Sequence, residues 1–173
     1  MVRIREMEEA DVDAVSAIRV RGWQSAYAGI VPGTYLDAMT VEGDAQGRRT
    51  WFAHPLRQST ELVALDAGGE LVGWISCGPY RGSVPGGRPT GEVYACYVRP
   101  DRIGRGVGRA LLGEVHARMG ERGFQAVSLW VLGDNRQARR FYERADYRPD
   151  GGTQDDVYDG VTLTELRYGR PLR

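Results

Sequence analysis

Residues 92–112, EVYACYVRPDRIGRGVGRALL, decide the fold class of this chain. Glu92 to Val98 is rich in β-branched and aromatic residues, the composition of a strand, and it stops at Arg99-Pro100-Asp101. Gly104-Arg105-Gly106-Val107-Gly108 follows; then Val107, Leu111 and Val115, with Leu112 and Met119 at neighbouring spacing, repeat at helical intervals. A strand that runs through glycines into a helix makes a general anion site. The first N–H groups of the helix have no internal partner, and its dipole places partial positive charge there. Glycine lets that backbone approach a phosphate with no Cβ in the way, and Arg102, Arg105 and Arg109 stand around the turn. Two pyrophosphate readings fail. A dinucleotide fingerprint needs a third glycine where Arg109 stands, and a nucleotide P-loop needs G-K-[ST], which does not occur. An ordinary tight strand-to-helix connection is the competing reading of the loop alone.

Upstream, Val2 to Arg5 alternates apolar and charged residues as a short strand, and Asp11 to Ala26 carries a helical apolar stripe through Val12, Val15 and Ile18. Pro32 fits the first turn of a second helix through Tyr35 and Leu36, and Val41 to Phe52 reads as a third. Glu61–Leu65 and Leu71–Gly78 flank Asp66-Ala67-Gly68-Gly69-Glu70 as a β-hairpin. Residues 80–91 are a loop dense in glycine and proline. Downstream, Gly123 ends the long helix, Ala126 to Leu132 is a strand, and Asp134 or Asn135 can cap a helix over Gln137 to Arg144. Thr153–Tyr158 and Val161–Tyr168, joined at Asp159-Gly160, predict a closing hairpin. With no linker or repeat, the order of elements predicts one α/β domain over residues 1–173. Its central sheet is mixed and mostly antiparallel, with helices on both faces.

Charge excludes some functions. Basic and acidic residues balance, 23 against 23, so no basic stripe for nucleic acid is expected. No apolar run approaches the ~20 residues of a membrane span, and charges interrupt the N-terminal segment, so a cytoplasmic protein is expected. Cys77 and Cys96 lie in apolar stretches as buried thiols. With His54 and His116 distant from both in sequence, they offer no metal-ligand spacing.

Residues 92–112 closely resemble motif A of the GNAT superfamily of N-acetyltransferases: a strand, V-x-P, and a glycine loop opening a helix. The resemblance implies acetyl-CoA as cosubstrate and no metal. Cys96, Tyr97 and Val98 would contact the pantetheine and thioester, while Gly104, Arg105, Gly106, Val107, Gly108 and Arg109 would cradle the pyrophosphate. Ile103 departs from the Gln or Arg frequent at its position. LWVLGDNRQARRFYERADY looks like motif B of the same family, with Val131, Asn135, Ala138 and Tyr142 at its spacing. Asn135 would then bond the pantetheine, and Tyr142 would lie near the sulfur. RGWQSAYAGIVPGTYL, residues 21–36, is similar to the first-helix region of a branch that includes polyamine and small-amine acetyltransferases. That likeness makes Trp23, Gln24 and Tyr27 acceptor-side candidates, with helix packing as the alternative for the two aromatics.

The implied reaction moves an acetyl group to a primary amine of a small molecule by direct attack through a tetrahedral intermediate. An alkylamine of pKa ~10.4 must lose a proton to attack. The resemblance points to Glu92 as its acceptor, a solvent-facing strand charge being the alternative. The position five residues before the motif B asparagine, glutamate in some relatives, is Trp130 here; Asp134 and Glu165 stay open as substitutes. A backbone N–H at Tyr97 or Val98 is the expected oxyanion donor. Tyr142 is the expected acid for the leaving thiolate, because a phenol of pKa ~10 can protonate it. Polyamines, amino acids and aminoglycosides all remain acceptors of the right chemistry. A protein N-terminus or lysine, or a non-catalytic acyl-CoA sensor, are the alternatives. A dinucleotide oxidoreductase is a distant third. A homodimer is common in this superfamily.

Overall fold

A computed structural model describes residues 2–83 and 85–172. The chain runs through β1 (Arg3–Glu6), α1 (Val12–Ala26), α2 (Gly33–Ala38), α3 (Val41–Phe52), β2 (Thr60–Leu65), β3 (Leu71–Pro79) and β4 (Thr90–Val98). It continues through α4 (Val107–Glu121), β5 (Ala126–Leu132), α5 (Arg136–Arg144), β6 (Arg148–Tyr158) and β7 (Val161–Pro171). The seven strands form one sheet in the order β1-β2-β3-β4-β5-β7-β6. Every neighbouring pair is antiparallel except β4 and β5. That parallel pair needs a crossover connection, and α4 supplies it.

Alternation of side chains along the strands sends successive residues to opposite faces of the sheet. On one face, Leu62, Ile75, Val93 and Leu129 pack with Leu111, Leu112, Val115 and Met119 of α4 and with Tyr142 of α5. On the other, Val63 and Trp74 meet Val12 and Val15 of α1 and Ala45 of α3. Each fully buried aliphatic side chain contributes ~1.5–3 kcal/mol, so the two layers clamp the sheet from both sides. A third cluster closes the end of the sheet near α2, where Leu36 and Val31 meet Leu132 and Tyr158, with Trp23, Tyr27 and Tyr35 against them.

Two details differ from the expected elements. Pro32 is the residue that caps α2 rather than part of its first turn. The final hairpin is longer than Thr153–Tyr158 and Val161–Tyr168, because β6 begins at Arg148 and β7 ends at Pro171. An irregularity in β6 between Pro149 and Thr153 lets the strand absorb Gly151 and Gly152 and keep pairing with β7. Of the two capping candidates, Asn135 caps α5, accepting from the Ala138 N–H at 3.1 Å.

Candidate active site

The site begins with a parting of two strands. β4 and β5 pair only from Thr90 to Val93 against Ala126 to Leu129. Beyond that point β4 stays with β3 while β5 stays with β7, where Trp130 faces Arg167 and Leu132 faces Glu165. A bulge marks the parting: Cys77 opposes Val93 and Ser76 opposes Ala95, leaving Tyr94 as the extra residue. The Arg99 N–H donates to the Val72 carbonyl at 2.9 Å. By antiparallel alternation the main-chain groups of Tyr97 then turn toward β3, and those of Cys96 and Val98 turn into the gap. The expectation of an oxyanion donor at Tyr97 or Val98 therefore narrows to Val98, with Cys96 beside it. The gap opens a cleft of about 310 Å³.

One end of the cleft suits a phosphorylated thioester. Gly104 and Gly106 adopt φ +81° and +83°, a left-handed conformation costly for any residue with a Cβ. The first bond within α4 is Ala110 N–H to the Gly106 carbonyl at 3.0 Å. The N–H groups of Val107, Gly108 and Arg109 are therefore without helix partners. Pro100, Arg102, Ile103, Gly104, Val107 and Gly108 line this end; Arg105, Gly106 and Arg109 are exposed beside it. Arg99 and Arg102 are committed to Asp101, Asp66 and Glu70. Among the described residues Arg105 and Arg109 enter no ion pair, and they remain the charges available to a pyrophosphate.

The middle of the cleft brings Cys96, Val98, Asn135 and Tyr142 together. The Asn135 side-chain oxygen accepts one hydrogen bond in capping α5, which leaves its second lone pair and both amide N–H groups for a ligand. Burial, and then the neighbouring Cys96, push the Tyr142 phenol well above its ordinary pKa, and burial pushes the Cys96 thiol up to about 12. A phenol held protonated in this way is a proton donor rather than a base. No side-chain hydrogen bond engages the Tyr142 hydroxyl among the described residues. Gly108 allows its helix to come close, since a Cβ there would lie 3.0 Å from the Phe141 ring and 3.6 Å from Val98.

The far end is aromatic. Trp23, Tyr27, Trp130 and Tyr158 line it together with Glu165. The Trp23 ring meets Tyr27 edge to face at 4.7 Å and lies 6.1 Å from Tyr158, so it both packs the third cluster and walls the cleft. Its indole N–H is buried with no hydrogen-bond partner among the described residues. The Tyr27 and Tyr97 hydroxyls lie 3.5 Å apart. Burial raises the Tyr27 phenol, opposed by Tyr97 and reinforced by the nearby Glu165 carboxylate. Two expected residues fall outside this arrangement. Gln24 is exposed and its amide donates to the Leu36 carbonyl at 3.0 Å, tying α1 to α2. Glu92 is 1% exposed and does not line the cleft; its carboxylate accepts from the Arg81 N–H and guanidinium, both at 2.8 Å. It anchors the loop after β3. The carboxylate that does line the cleft is Glu165, which the motifs left unranked among substitutes.

A strand pair splayed over a glycine-rich helix start, with a protonated phenol between a thioester-sized slot and an aromatic pocket, defines an acyl-transfer fold. The acetyltransferase (GNAT) family model matches residues 23–147, and the chain belongs to that family, whose enzymes take the acyl group from acetyl-CoA. The chain is 30% identical to the uncharacterized N-acetyltransferase YuaI of Bacillus subtilis (strain 168), across 99% of this chain and 94% of that protein. It is 36% identical to the mycothiol acetyltransferase of Propionibacterium freudenreichii subsp. shermanii over 84% of its own length, and spans only 43% of that longer protein. The protein yncA of Salmonella typhimurium, solved with its cofactor acetyl-CoA, shares the fold at TM-score 0.74 and 23% identity, with 100% and 95% of the two chains covered. Among the described residues no cluster of His, Cys, Asp and Glu fits a metal, and no helix is long and apolar enough to cross a membrane.

Proposed function

We propose that this cleft transfers an acetyl group from acetyl-CoA to the primary amine of a small molecule by direct attack. One observation carries the reading. The parting of β4 from β5 leaves the Cys96 and Val98 main chain facing the gap, with the Tyr142 hydroxyl in the same cleft. Acetyl-CoA supplies the activated thioester; the Gly104–Arg109 segment with Arg105 and Arg109 holds its pyrophosphate, and Asn135 and Val98 receive the pantetheine. The Val98 N–H, aimed where charge develops on the carbonyl oxygen, contributes on the order of 3 kcal/mol in a dry site. Glu165 takes the proton that the ammonium must lose, directly or through water, and Tyr142 gives one to the departing sulfur. The nitrogen, cationic again in the tetrahedral intermediate, gives up its second proton to solvent as the intermediate collapses, and the phenol is reprotonated from solvent. Of the two protons the ammonium loses, one is matched on the CoA thiol and one is released.

The test is release of free CoA from acetyl-CoA across a panel of primary amines. Tyr142→Phe is expected to lower kcat about 10²-fold with little change in CoA affinity. An unchanged kcat with the best acceptor removes Tyr142 from the mechanism, and CoA binding without turnover on any amine replaces the enzyme by a sensor.

A further inference from the structure

The aromatic end of the cleft has an uneven charge balance. Three guanidinium groups lie near it. Arg19 stands 5.3 Å from the Trp23 ring and bonds Asp44 at 2.6 Å. Arg167 stands 5.7 Å from the Trp130 ring and bonds Asp150 at 2.8 Å. Arg81 is held by Glu92 at 2.8 Å. Arg167 and Arg81 are each held by a carboxylate of their own, Arg19 shares Asp44 with Arg48, which bonds its second oxygen at 3.1 Å, and none of the three lines the cleft. Glu165 is the opposite case: half-buried on β7, it accepts from the Gln154 amide at 2.6 Å and enters no ion pair among the described residues. Among the described residues no guanidinium lines this end to receive a substrate carboxylate. A lone carboxylate among four rings is the chemistry that receives an ammonium, since the ring faces add cation–π attraction to the ion pair.

We infer that the acceptor is a cationic amine carrying no carboxylate beside its amino group, seated among Trp23, Tyr27, Trp130 and Tyr158 with its charge against Glu165. The inference rests on the transferase reading above and narrows its substrate class: alkyl- and arylalkylamines are accepted, α-amino acids refused. Refusal is electrostatic. An α-carboxylate would be buried next to Glu165 with no partner, which builds discrimination out of repulsion rather than out of extra contacts.

Three matched probes separate charge from shape: phenethylamine, phenylalanine and phenylalaninamide, each assayed with acetyl-CoA by free CoA release. The amine is expected to exceed the amino acid in kcat/KM by about tenfold or more, with the amide, which has the bulk but not the charge, recovering most of that difference. Glu165→Gln lowers turnover of all three, as loss of the proton acceptor requires. Its distinguishing effect is on the ratio of amine to amino acid, which falls to within about threefold while the KM for acetyl-CoA holds. Equal or better use of phenylalanine, or an amide as poor as the acid, overturns the inference and leaves the transferase standing. If none of the three is acetylated, calorimetry of the same ligands against the CoA-loaded protein decides: preference for the two carboxylate-free amines upholds the pocket, preference for phenylalanine or no preference overturns it, and the transferase reading is decided separately by the wider amine panel.

Discussion

Glu92 and Glu165 carry the same side chain into opposite situations. Glu92 is buried and satisfied by two donors of Arg81, whereas Glu165 keeps a face on the cleft. Position relative to a motif selects Glu92, because sequence shows its distance from Cys96 but not the bulge at Tyr94, nor the path of the loop that delivers Arg81. Glu165 was legible only as a candidate, since it reaches the cleft through the pairing of β7 with β5, a long-range contact with no local signature. The glycine loop was readable as a strand-to-helix turn because its geometry is set within one strand–helix unit. The two glutamates make a prediction at this scale. Glu92→Gln keeps an acceptor for the Arg81 N–H and releases a guanidinium that is already 62% exposed, so it costs about 1 kcal/mol in urea unfolding and changes kcat less than about threefold. Arg81→Gln keeps the backbone N–H bond but leaves a buried carboxylate without its counter-charge, and costs more, roughly 2–3 kcal/mol. A collapse of kcat in Glu92→Gln with native stability would return the catalytic role to Glu92.

At the scale of elements, helical periodicity placed α1 and α4 well, since each buries one stripe against a sheet face. Strand ends were less legible where glycine and proline interrupt the pattern, as in β6, because pairing with β7 overrides local propensity there. What no pattern displayed is the close packing of α4 on α5 that sets the position of Tyr142. Gly108 sits at that contact: an added Cβ would lie 3.0 and 3.2 Å from ring atoms of Phe141. Gly108→Ala forces α5 to give by a few tenths of an ångström, and Phe141 moves with its neighbour Tyr142. The expected result is a loss of about 1–3 kcal/mol in stability and a several-fold drop in kcat, since small misplacements of catalytic groups are costly. Gly113→Ala, where a Cβ meets nothing within 4 Å on the same helix, is the control, expected to gain a few tenths of a kcal/mol from helix propensity. Equal behaviour of the two variants in the kinetic assay would refute the packing argument.

At the scale of the whole molecule, one polar cluster behind the site joins the crossover helix to the last strand. His116 on α4 lies 2.7 Å from the Tyr147 hydroxyl through Nε2 and 3.2 Å from the Arg170 guanidinium of β7 through Nδ1; Arg170 also donates to the Ala145 carbonyl at 3.0 Å. A guanidinium can only donate, so Nδ1 accepts and Nε2 carries the proton toward Tyr147. Protonating Nδ1 would break the Arg170 bond and set two positive charges together. Burial first, and Arg170 second, accordingly lower the His116 pKa to about 4. Below the ordinary imidazole value of ~6.5 the unfolded chain binds a proton that the native state refuses. Stability from this group is therefore full above pH ~6.5 and lost as pH falls from there to about 4. The whole displacement is worth roughly 3 kcal/mol, and partial exposure of the ring trims it to ~2. The lowered carboxylates Asp11 and Asp101 act only below the ordinary aspartate range, so their window is separate. Urea melts at pH 7, 5.5 and 4.5 are expected to show falling stability in the native sequence. His116→Asn, less stable at pH 7, should lose most of that dependence between pH 7 and 4.5. A slope that survives the substitution would assign the acid sensitivity elsewhere in the sheet.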